Sequence, residues 1–172
     1  MRSKRLALDS ILLALAAAFS FLESMIPTPV GIRLGLSSIV VMYALLCLSK
    51  AEASAIVLLK ACFALITRGF YAGILSLSGS FLSLLGMLIL YRMNSSLVLM
   101  SCIGGFLHNL GQILAASLFL GSGSVFSYLP ILTAAGLTAG FVSASLLRMI
   151  LPYLPYSNCS IRSSQFLKGP DK

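Results

Sequence analysis

The chain has 172 residues, of which 59% are hydrophobic and only 9% are charged. A soluble domain carries roughly 25% charged residues, so this chain lacks the polar groups to cover a water-facing surface and is expected in a bilayer. The net charge of +8 does not point to nucleic acid, because the basic residues punctuate apolar segments and follow membrane topology instead.

The first twenty residues, MRSKRLALDSILLALAAAFS, have the basic start and short apolar core of a signal peptide. Asp9 interrupts that core, and the apolar pattern continues through the chain. The segment therefore reads as a first transmembrane helix. A bilayer core takes roughly 20 apolar residues as a helix, with about 17–25 usual. Six segments qualify, over about 6–26, 34–49, 52–68, 73–91, 97–120 and 127–151, the second being short. The fold class is thus all-α, a six-helix integral membrane bundle over residues 1–151, followed by a polar tail over 152–172 behind Pro152 and Pro155.

Six spans put both termini on one side of the membrane. Arg2, Lys4, Arg5, Lys50, Arg92, Arg148, Arg162, Lys168 and Lys172 fall on that side, against Arg33 and Arg68 on the other. The positive-inside rule makes the terminal side cytoplasmic. A multi-pass protein of the cell membrane is expected. Topology gives no reason for Arg33 and Arg68.

Charged and strongly polar groups inside a membrane are costly, and they usually face the protein interior or a cavity. Glu23 lies near the outer end of the first helix, Lys60 near the middle of the third, and His108, Asn109 and Gln112 within the fifth. His108 and Gln112 are four apart and share one helix face, with Asn109 beside it. Two readings fit. In one, these groups hydrogen-bond across helices and hold the bundle together. In the other, they line a pocket open to the outside, where Arg33, Arg68 and Lys60 outweigh Glu23 and suit a small ligand with an anionic or polar head. The stretch TPVGIRLGLSS, 28–38, adds a loop in which Gly31 and Gly35 permit tight turns. Ser37 and Ser38 are placed to cap the second helix, whose N-terminus favours an anion.

Small residues recur at four-residue spacing, as Ala14 and Ala18 in the first helix and Gly136 and Gly140 in the sixth, which lets helices approach closely. The cysteines Cys47, Cys62 and Cys102 read as small apolar residues within helices. No metal site or cofactor is expected. No phosphate-binding Gly-rich loop ending in Lys-Ser/Thr is present, and the acidic residues Asp9, Glu23, Glu52 and Asp171 lie far apart. Neither nucleotide hydrolysis of that kind nor an aspartate-rich prenyl-transferring site is visible. The chain is not expected to be an enzyme.

The stretches FLESMIP (21–27), GIRLGLSSI (31–39), EASAIVLLK (52–60) and FLHNLGQ (106–112) resemble the Gx transporter family, also known as heptaprenyl diphosphate synthase component I. The resemblance covers about residues 5–150. That family usually has Lys or Arg at the place of Arg33 and Arg at the place of Lys60; Ser37-Ser38 departs from its usual Ala-Asn. It is similar to the substrate-binding S-components of energy-coupling factor transporters. This similarity implies a six-helix fold, an outward-facing pocket partly covered by the first loop, and an Ala-xxx-Ala face, here Ala14 and Ala18, that docks a transmembrane coupling subunit served by separate ATPases. The expected function is therefore the substrate-binding membrane subunit of a bacterial small-molecule importer. Glu23, Arg33, Lys60, Arg68, His108, Asn109 and Gln112 are its candidate substrate-binding residues. The family's other name implies a different role, a non-catalytic membrane accessory of a prenyl synthase. A self-contained secondary carrier fits less well, since six helices are few and no internal repeat is evident.

Overall fold

A computed structural model describes residues 2–24 and 37–150. The expectations for Arg33, for the rest of the 25–36 stretch and for the tail after Ile150 lie outside the described residues, as does the side chain of Glu23. The architecture is all-helical, with α1 (Arg2–Ser24), α2 (Ser38–Cys47), α3 (Lys50–Arg68), α4 (Phe70–Arg92), α5 (Leu97–Leu120) and α6 (Leu129–Ile150) in chain order. A 3-10 turn, Gly123–Tyr128, leads into α6.

Local chemistry sets the boundaries. Ser49 and Ser96 stand in extended backbone before α3 and α5, and their side chains accept hydrogen bonds from the N–H groups of Glu52 and Leu99. These are N-caps that satisfy donors the helix leaves open. Gly69 ends α3 at φ +87°, and Gly121 ends α5 in the left-handed region at φ +58°, backbone that favours a residue without a Cβ. The charged side chains Lys50, Glu52, Lys60 and Arg68 all lie on α3. The α4 and α5 helices and the stretch from Gly123 to Met149 are long and apolar enough to cross a membrane by themselves. Their outer faces carry large apolar side chains such as Phe81, Ile89, Leu118, Ile131 and Phe141.

The expected helix over 34–49 ends at Cys47, two residues early, and residues 34–36 lie outside the described residues. All ten residues of α2 are buried, and it packs against each of the other five helices. At 1.5 Å per residue, the ten residues Ser38–Cys47 rise about 15 Å. Around it, α3 packs on α1 and α4, α4 on α5, and α5 on α6. The α2–α3 and α4–α5 connections and the C-terminal end of α6 share one end of the bundle, here the near end. The α3–α4 and α5–α6 connections share the far end.

Glycines let α4, α5 and α6 touch at the backbone. A Cβ on Gly111 would lie 2.7 Å from the Ser78 carbonyl and 2.9 Å from the Gly79 Cα. One on Gly140 would lie 2.7 Å from the Cys102 Cα, and one on Gly105 would collide with the Gly136 carbonyl oxygen. The Gly136 and Gly140 stripe therefore serves packing within the bundle, against Gly105 and Cys102 of α5. Cys62 is an exposed free thiol and Cys102 a half-buried one. Cys47 requires a correction, because it is disulfide-bonded rather than a plain apolar residue. Disulfides join residues brought together by the fold, which sequence spacing alone does not reveal.

Candidate functional site

The interior is divided into apolar clusters at the two ends with a polar layer between them. The near-end cluster is built from α2 and from Leu12, Ile56, Val57, Leu84, Met87, Leu97, Met100 and Leu147. The far-end cluster is smaller and holds Leu75, Ile113, Ala115, Ala116, Val125 and Leu132. Lys60, 2% exposed, and His108, Asn109 and Gln112, each 1% exposed, belong to neither cluster.

The helix register places these residues at one depth. Gly79 of α4 lies against His108 and Gln112 of α5, and Gly73 of α4 lies against Leu65 of α3. Counting back from that second contact along the antiparallel α3–α4 pair brings Lys60 opposite Ser78, beside Gly79. His108 is the twelfth residue of the 24 in α5, so the layer lies halfway along the bundle. None of these side chains faces outward.

Within the layer the groups divide between two faces of α5. His108 and Gln112 face α4, and their Nε2 atoms are 2.7 Å apart. With the amide nitrogen as donor, the imidazole accepts at Nε2 and carries its proton on Nδ1. Asn109 faces α6, and its Nδ2 donates to the Leu132 carbonyl over 2.6 Å. That bond joins α5 to the first turn of α6, so the amide nitrogen of Asn109 is committed to holding helices together. Interhelical bonds in membranes are worth about 0.6 kcal/mol on average and up to about 1.7. Asn109→Leu is therefore expected to lower unfolding free energy by about that amount, with ligand retention close to wild type; reversible unfolding in mixed micelles measures it.

Sequence reading missed three members of the layer's wall. Ser76, Ser80 and Ser83 of α4 are 2–3% exposed, and their hydroxyls have no hydrogen-bond partner among the described residues. Serines and threonines in helices commonly bond back to a carbonyl one turn earlier. Ser54, Thr67, Ser78, Ser117, Thr138, Ser143 and Ser145 all do so here. The three inward serines depart from that habit. The signal was present as serine at 76, 80 and 83, a spacing that puts all three on one helix face. Arg68, in the last turn of α3, is half-buried about 12 Å beyond Lys60 at 1.5 Å per residue, toward the far end.

Fold and site together define a class, an all-helical membrane protein with a polar layer in its interior. Within it, the chain belongs to the heptaprenyl diphosphate synthase component I family, whose model matches residues 12–150. Neither the curated proteins nor the solved structures give a match to this chain.

Proposed function

We propose that this protein is the substrate-binding membrane subunit of a bacterial small-molecule importer, taking up a substrate with an anionic or polar group from the outer side. The observation that carries the reading is the layer itself. Lys60, His108 and Gln112 stand at one depth, walled by serine hydroxyls that bond to nothing among the described residues. Asn109 is committed to backbone through Nδ2 and His108 and Gln112 pair with each other, so the weight falls on the inward hydroxyls of Ser76, Ser80 and Ser83. Hydroxyls left uncommitted in a low-dielectric interior are costly, which favours a role in holding something.

In this reading Lys60 supplies positive charge in the wall, and His108 and Gln112 fix orientation. Arg33, Arg68 and Glu23 guard the outer approach. The protein does no chemistry of its own. It lies in the cell membrane with both termini cytoplasmic, in keeping with the charge asymmetry. Ala14 and Ala18 are exposed on α1 while Leu12 and Ala16 turn inward, which suits docking to a coupling subunit that ATPase subunits drive.

The family's name favours a second reading, a non-catalytic membrane accessory of heptaprenyl diphosphate synthase. Co-purification from cross-linked membranes separates the two. The importer reading predicts a membrane coupling protein with ATPases, lost on Ala14→Phe/Ala18→Phe while the protein still folds. Recovery of a soluble prenyl synthase, unaffected by those substitutions, would favour the accessory.

A further inference from the structure

The antiparallel packing of α3 on α4 brings the start of α3 and the end of α4 together at the near end of the bundle. Each of these termini carries a basic residue, Lys50 and Arg92. Both side chains are exposed, and the Lys50 ammonium stands 5.8 Å from the centre of the Tyr91 ring. Tyr91 thus keeps Lys50 against the end of α4, one residue from Arg92. Neither cation is drawn into an ion pair among the described residues, and Glu52, the one acid on α3, is half-buried.

Below Arg92 the same face of α4 turns apolar. Leu88, Leu85 and Phe81 follow it at steps of four, three and four residues, spacings that stack side chains on one helix face. Phe81 and Leu85 are exposed, and Leu88 is half-buried. From Arg92 to Phe81 the helix rises about 16 Å, the depth of one leaflet of a roughly 30 Å hydrocarbon core. The α3–α4 seam therefore presents two cations at headgroup height and an apolar strip beneath them.

We infer that the near end of the α3–α4 seam is a binding site for an anionic phospholipid, with its phosphate between Lys50 and Arg92 and an acyl chain along Leu88, Leu85 and Phe81. A guanidinium meets phosphate oxygens in two-pronged fashion, and an ammonium adds a point charge. Basic pockets between membrane helices hold anionic headgroups in this way. Arg148, exposed in the last turn of α6, makes the contrast, since the neighbouring α5 carries no Lys or Arg to complete a pair. The site asks nothing of the polar layer and stands apart from the importer reading.

The test titrates the full-length, detergent-purified protein with phosphatidylglycerol or with phosphatidylcholine of the same acyl chains, and native mass spectrometry reads the bound lipid. A basic residue at an anionic surface contributes about 5-fold in affinity, so the wild type is expected to prefer phosphatidylglycerol by about 25-fold. Lys50→Gln/Arg92→Gln, which changes only exposed side chains, is expected to remove most of that preference. Arg148→Gln is expected to keep it. Equal affinity of the wild type for the two lipids would overturn the inference. So would an equal loss in Arg148→Gln, which would make the preference a matter of net charge rather than of the seam. Displacement of phosphatidylglycerol by excess inorganic phosphate would assign the two cations to a free anion and overturn the lipid site.

Discussion

Lys60→Met is expected to leave the bundle folded and to remove its grip on a small molecule. Lys60 is 2% exposed at the middle of α3. Methionine matches its length and apolar stem and removes the ammonium together with the contacts it makes. Removing a buried ammonium also removes the cost of keeping it out of water. A ligand anion that meets this ammonium loses a buried charge partner, a loss worth about 2–5 kcal/mol. At 1.4 kcal/mol per tenfold, affinity falls by about 30-fold or more. If Lys60 were instead one half of a structural ion pair, the substitution would strand the other half and cost about 3–5 kcal/mol of stability. Denaturant titration in micelles, read beside ligand retention, distinguishes the two outcomes by which quantity moves.

Gly111→Ala is expected to destabilise the fold by about 2–3 kcal/mol, at the upper end of ordinary overpacking. The added Cβ would meet backbone rather than a flexible side chain, 2.7 Å from the Ser78 carbonyl and 2.9 Å from the Gly79 Cα. Neither can rotate away, so α4 and α5 must part. They would part at the level of the polar layer, because Gly79 also seats His108 and Gln112. Gly123→Ala is the matched control, with nothing within 4 Å of its added Cβ. The same micelle titration is expected to find Gly123→Ala within about 0.5 kcal/mol of wild type, as for surface changes generally.

Much of this fold was legible in the sequence because membrane helices announce themselves by length and apolar run. The fifth segment, expected over 97–120, is α5 at those same residues. The third and fourth differ from expectation by at most three residues at an end. The second ends at Cys47, two residues before its expected end, because Leu48 and Ser49 form the short connection to α3. His108, Asn109, Gln112 and Lys60 were found as polar groups in apolar runs, and the shared face of His108 and Gln112 followed from their four-residue spacing. The opposite commitment of Asn109 to α6 did not follow, because it depends on which helix lies on each side of α5. Ser76, Ser80 and Ser83 escaped notice for a similar reason. Serine bonds to its own helix anywhere in a membrane, and only the helix register reveals which serines face the layer. The Gly136 and Gly140 stripe was visible, whereas its partners Gly105 and Cys102 required the α5–α6 pairing.

Native mass spectrometry of the detergent-purified protein tests the central claim most directly, with wild type measured beside Lys60→Met and His108→Ala. The account predicts a small molecule retained by the wild type and lost from both variants, each variant remaining folded. The same bound mass on all three would place the site outside the polar layer. No bound mass on the wild type, with both variants unfolding far more easily, would make these residues the glue of the bundle and contradict the account.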